Sequence, residues 1–225
     1  MLSSLLSGEM GFLDILIYVL STLTVIFLTL PVHEFAHGWA AVKLGDNTPR
    51  WQGRLTINPF AHIDYIGALC ILFFGFGWAR PVQVNQNNFR NPKRDMALTA
   101  LAGPVSNIIV AFIAMILFNV CFIFINLLSG WVQYVAWFFY WIASINISLA
   151  VFNLIPIPPL DGSRLLSALL PYKYYYALMR YERYIFWGLL ALLWFGVLDI
   201  PLDYLSGALM KLISTLAGLP FRFIG

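Results

Sequence analysis

Leu30-Pro31-Val32-His33-Glu34-Phe35-Ala36-His37-Gly38-Trp39-Ala40-Ala41-Val42 closes a long apolar run and contains a His-Glu-x-x-His pattern. On a helix, His33 and His37 fall one turn apart on one face, about 6 Å along the axis. Two imidazoles so placed can share one metal ion. Glu34 is offset around the helix and need not ligate. It is placed to take a proton from a water beside the metal. The competing reading is a structural pair, since the pentapeptide also arises by chance in soluble chains. In hydrocarbon that reading weakens, because ionisable side chains are costly there and face a site or a cavity.

The preceding run, Gly11 to Val32, is apolar except for Asp14 and a few hydroxyls, and is long enough to cross a bilayer. Its helix is expected to continue to about Leu44. Pro31 removes one backbone hydrogen bond and is expected to kink it, making room for a ligand or water. The rest of the chain agrees. Of 225 residues, 61% are hydrophobic and 10% charged, against about 25% charged in an average globular chain. Mean hydropathy is +0.81. These values describe an all-α polytopic membrane protein, a single domain over 1–225 held in the lipid bilayer. Basic residues nowhere alternate with aromatics at length, so nucleic acid is not an expected partner. Cys70 and Cys121 lie in apolar runs and read as small hydrophobes rather than a disulfide. The N-terminus has no basic segment and carries Glu9 and Asp14, so its apolar run is expected to be retained.

Gly45 to Asp64 is polar, with short strand character over Arg54-Leu55-Thr56-Ile57. The apolar run Ile66 to Trp78 is too short to span, and Gly75, Gly77 and Pro81 follow. It reads as a re-entrant or β-hairpin element, continued by an extended piece, Arg80 to Val84. Met96 to Leu128 and Trp131 to Leu154 are the second and third long helices. Pro156, Pro158 and Pro159 stop the third. Tyr181 to Leu198 and Leu202 to about Leu219 read as two further spans. The expected fold is all-α, with three long helices within about 11–170 and two C-terminal spanning helices, about 181–220.

With 66–78 re-entrant, Lys43, Arg50, Arg54, Arg80, Arg90, Lys93, Arg94, Arg164, Lys173, Arg180, Arg183 and Arg222 share one membrane face. Glu9, Asp14, Asp199 and Asp203 fall on the other. The positive-inside rule makes the basic face cytoplasmic and the N-terminus external. Three motifs then reach one depth: His33 to His37, Gly103-Pro104-Val105-Ser106-Asn107, and Asn153 to Asp161. A catalytic zinc wants three protein ligands and an open position. His33 and His37 supply two, and Asp161 is the best third candidate. Equally, Asp161 could cap the short helix expected over Ser163 to Leu170. His62 in its loop reads as structural more readily than as a ligand, and Asp64 is as readily a cap for the re-entrant segment as anything else. Gly103 is expected to let two helices approach closely. Asn107 and Asn153 are amides at membrane depth that need partners. Asn153 can pack helices or polarise a scissile carbonyl.

The set resembles the site-2 protease (M50) family of intramembrane zinc metalloproteases. The residues that carry the resemblance are His33-Glu34-Phe35-Ala36-His37-Gly38, Asn58-Pro59 with His62-Ile63-Asp64, Gly103 to Asn107, and Asn153 through Gly162. The resemblance is to the compact bacterial branch without PDZ or CBS domain. It implies one zinc held by His33, His37 and Asp161, Glu34 as general base, and a core of three helices in the cell membrane. It also implies a single-span transmembrane protein as substrate, cut near the cytoplasmic face. The extended stretches 54–57 and 80–84 can offer an edge to the unwound substrate, or form a hairpin that plugs the site. The competing functions are a membrane metal transporter and a non-catalytic protein that binds transmembrane helices. A transporter calls for polar residues through the whole bilayer depth, whereas the ionisable ones here cluster at one level.

Overall fold

The computed structural model describes residues 11–74, 77–124 and 130–221. Glu9, Gly75, Ser129 and Arg222, used in the sequence reading, lie outside these residues. The first helix, α1, runs from Phe12 to Leu44 without a break. Pro31 has no N–H for the carbonyl one turn back, and the chain answers with a π-type turn over Val25–Thr29, where Leu30 N–H bonds Val25 O. The expected opening at Pro31 is therefore a one-residue widening of the helix. Gly45 ends α1 in the left-handed region at φ 116°.

Two single turns follow, α2 (Thr48–Trp51) and α3 (Pro59–His62), then α4 (Tyr65–Phe74). Asp64 accepts hydrogen bonds from the Ile66 and Gly67 amides and so caps α4. After α4 the chain returns, and Arg80 N–H reaches His62 O at 2.7 Å. Entry and return thus lie side by side. The strands expected over 54–57 and 80–84 are not formed, and no strand occurs among the described residues. The reason lies in the partners: Arg80 bonds the His62 carbonyl at the end of α3 and Val82 a carboxylate, so neither amide is left for a ladder.

The long helices α5 (Pro92–Phe124) and α6 (Val132–Asn153) are antiparallel neighbours and build the core with α1. Val25, Ile26 and Leu30 of α1 pack with Ile71 of α4 and Leu149 of α6. Beyond α6 stand the short helices α7 (Asp161–Leu169) and α8 (Tyr172–Arg180), then α9 (Glu182–Trp194) and α10 (Asp199–Gly218).

Two C-terminal spans were expected, but of these only α10 is long and apolar enough to cross; with α1, α5 and α6 it makes four such helices among the described residues. The 13 residues of α9 rise about 20 Å, against a hydrocarbon core of about 30 Å. Gly196, at φ 69°, turns the chain there. Leu198, Pro201 and Leu202 line one apolar cavity with Leu154, Ile155 and Pro156. The start of α10 therefore stands beside the end of α6. Asp199 and Asp203 lie at that end too, not at the opposite face as the charge pattern suggested. From there α10 packs Ile213 and Ala217 against Ala111, Ala114 and Ile142 of the α5–α6 pair. Large apolar side chains such as Leu28, Ile109, Ile113 and Leu212 are exposed on the outer faces, as lipid contact requires. Cys70 and Cys121 are free and half-buried.

Candidate metal centre and active site

Helix α1 presents His33 and His37 inward, both buried. Their rings meet edge to face, centroids 4.7 Å apart. The buried His37 Nδ1–H donates to Thr99 O at 2.7 Å, which leaves Nε2 with its lone pair facing into the bundle. Asp161 arrives from the other end of the chain. Helix α7 begins at Asp161 itself, with Leu160 at the cap and no side-chain cap bond. Asp161 Oδ2 instead lies 3.1 Å from His37 Nε2 and 3.3 Å from His33 Nε2. The two Nε2 atoms are 3.1 Å apart.

These three separations describe one face of a small tetrahedron. For bonds of about 2.0 Å, the length usual for zinc with imidazole and carboxylate, the edge is about 3.3 Å. The donor set of two imidazoles and one carboxylate therefore fits a zinc ion, with the fourth corner left open. The three are the group of His, Cys, Asp and Glu side chains among the described residues that could hold a metal. Burial works against ionisation of Asp161, but the imidazoles, His37 foremost, hold its carboxyl well below the usual carboxylate range.

Gly103 makes this approach possible. A Cβ at that position would lie 2.3 Å from His37 Nε2 and 2.6 Å from His33 Nε2. The sequence marked Gly103 as a helix contact; its neighbours turn out to be the two imidazoles themselves.

The open side gives onto a cavity of about 210 Å³ lined by Glu34, Asn153, Val82, Trp78 and Arg164, among others. Glu34 is buried, and its Oε2 accepts the Val82 N–H at 3.0 Å. Asn153 faces the same space from the last turn of α6. His62 does not join the group: it is buried and its Nε2–H donates to Thr56 O at 2.8 Å. Asn107 is buried one turn beyond Gly103, and its amide nitrogen has no partner among the described residues.

Sequence reasoning missed three contributors. Arg164 was legible, since it follows Asp161 by three residues and shares its helix face. The Thr99 carbonyl and the Val82 amide are backbone groups, and no side-chain pattern announces them.

A family model for peptidase family M50 matches residues 21–195. The chain belongs to peptidase family M50. This M50 chain is 42% identical over 160 residues to YwhC of Bacillus subtilis, which bears a zinc metalloprotease name; the match covers 71% of the chain and 72% of YwhC. Rip2 of Mycolicibacterium smegmatis, also named as a zinc metalloprotease, is 28% identical over 143 residues. That match covers 60% of the M50 chain but 51% of Rip2. No solved structure gives a significant match. Family and fold together make the chain an intramembrane zinc metalloprotease, a multi-pass membrane protein of at least four apolar helices.

Proposed function

We propose that His33, His37 and Asp161 hold the zinc, that Glu34 is the general base, and that the substrate is a single-span transmembrane protein. The observation that carries this reading is the set of 3.1 to 3.3 Å separations among the three donor atoms, opening on the cavity that Glu34 lines. When bound, zinc acts as a Lewis acid that acidifies water and polarises the scissile carbonyl. Glu34 takes the proton of the attacking water and delivers it to the leaving amine. Asn153 donates its amide hydrogen to the carbonyl oxygen of the substrate as charge gathers there. Leu30, Leu149 and Phe186 supply the apolar part of the lining.

A substrate helix holds its own peptide groups in i to i−4 hydrogen bonds, so it must unwind before one of them can reach the site. The site is assigned to the cytoplasmic end of the bundle. Lys43 closes α1, Lys93 and Arg94 open α5, Arg50, Arg54, Arg80 and Arg90 fall between these two spans, and Arg164, Lys173, Arg180 and Arg183 follow the third. In this reading the start of α1 and the end of α10 both face the outside.

The test is cleavage of a single-span substrate in liposomes by Glu34→Gln, with zinc measured alongside. Cleavage should vanish with zinc retained. Undiminished cleavage would remove Glu34 from the mechanism. Zinc flux without cleavage in the unaltered protein would favour transport.

A further inference from the structure

We infer that Asp46 is a positioning residue for Glu34, acting through the strap of residues 77–88 that lies along α1. The inference rests on the protease reading, in which Glu34 is the base. The strap follows α1 in register. Val82 N–H meets Glu34, the Val82 side chain lies 3.6 Å from the space beside Gly38, and Val84 packs near Ala41. At the end of α1 the strap reaches Asp46, which is fully buried. Asp46 Oδ2 accepts the Asn85 N–H at 2.7 Å, and Oδ1 accepts from Asn88 Nδ2 at 2.7 Å. Thr48 adds its N–H at 3.0 Å and its hydroxyl at 2.5 Å, which fixes the carboxylate in turn. On the other side of Val82, the strap is tied by Arg80 N–H to His62 O.

The two ties bracket Val82 and set its register, and register decides function here. The preceding residue is Pro81, which has no N–H to offer. A slip of one residue in that direction would leave Glu34 Oε2 without its donor. With Oε2 held, the carboxylate keeps one orientation and its other oxygen is free to accept a proton. A general base is usually oriented by such a third group, and misplacement by about 1 Å can cost 10²-fold in rate. Asp46 touches neither substrate nor metal; it acts on Glu34 at one remove.

The experiment compares Asp46→Asn, Val82→Pro, the double variant and Glu34→Gln, using the full chain in liposomes and a single-span substrate. Asp46→Asn and Val82→Pro should each lower kcat about tenfold, with KM within about twofold and zinc per chain unchanged. The double variant should be no slower than the slower single, because both changes act through one hydrogen bond. Hydrogen exchange should rise in the strap of Asp46→Asn and not in α1, which keeps the inference testable should Val82→Pro fail to fold. Unchanged or raised kcat in Asp46→Asn, losses that multiply in the double, or a loss carried by KM would each overturn it. An inactive Glu34→Gln beside a fully active Asp46→Asn sinks this inference alone, whereas an active Glu34→Gln takes the protease reading down with it.

Discussion

His37 and Asp161 are 124 residues apart in the chain, yet His37 Nε2 and Asp161 Oδ2 stand 3.1 Å from each other. Three helices and the proline-rich turn after Asn153 bring them together. His37 sits near the end of α1, Gly103 of α5 opens the gap, and the chain leaving α6 enters α7 at Asp161.

Gly103→Ala separates packing from helix propensity. Within a helix, replacing Gly by Ala gains about 0.5–1 kcal/mol. Here the added carbon would meet both imidazoles well inside contact distance. Zinc affinity should fall at least about tenfold, and cleavage with it, as measured by chelator competition and substrate turnover. A Gly103→Ala protein that is stabilised and binds zinc normally would show that α5 can move away.

Thr99→Val should be nearly silent. The group that orients His37 is the Thr99 carbonyl, which the substitution keeps. The buried hydroxyl has no partner among the described residues, so its loss costs little and can stabilise. Activity within about threefold of the unaltered protein is expected, measured by initial cleavage rates. A loss of 10²-fold would assign the hydroxyl a role in the site.

Asp46 also makes stability depend on pH. Burial opposes its ionisation, but hydrogen bonds from Thr48, Asn88 and Asn85 outweigh this and hold the carboxyl below the usual carboxylate range. Its folded pKa thus lies below the unfolded value of about 3.9. The stabilisation is complete above that value and is lost as pH falls through the folded one. At pH 7, Asp46→Asn should cost about 1–3 kcal/mol of unfolding free energy. The gap between the two proteins should narrow as pH falls below the unfolded value of about 3.9. Denaturant unfolding in detergent at pH 7 and at low pH checks this; a constant gap would mean the charge contributes nothing.

The legible parts of the chain were those that chemistry writes into side chains. His33, Glu34 and His37 follow from helical spacing, and Asp161 from a carboxylate placed just beyond a proline break. The cap at Asp64 and the return of the chain after α4 were legible too, from a short apolar run beside glycines and a proline. The strands were not, because the β-branched residues of 54–57 and 80–84 favour extended backbone without saying where its hydrogen bonds go. Arg80 and Val82 found the His62 carbonyl and Glu34 instead. Tyr181 to Leu198 is apolar enough to pass for a span, but Gly196 turns the chain and α9 stops at Trp194. That turn reverses the direction expected of α10 and moves Asp199 and Asp203 to the end of the bundle where α6 stops.

The most direct measurement is the zinc affinity of Asp161→Asn, by chelator competition on the purified protein, beside its cleavage rate. Replacing one of three protein ligands should weaken zinc by 10²-fold or more and abolish cleavage at ordinary zinc levels. Asp161→Asn that holds one zinc per chain as tightly as the unaltered protein would contradict the assignment of this carboxylate to the metal.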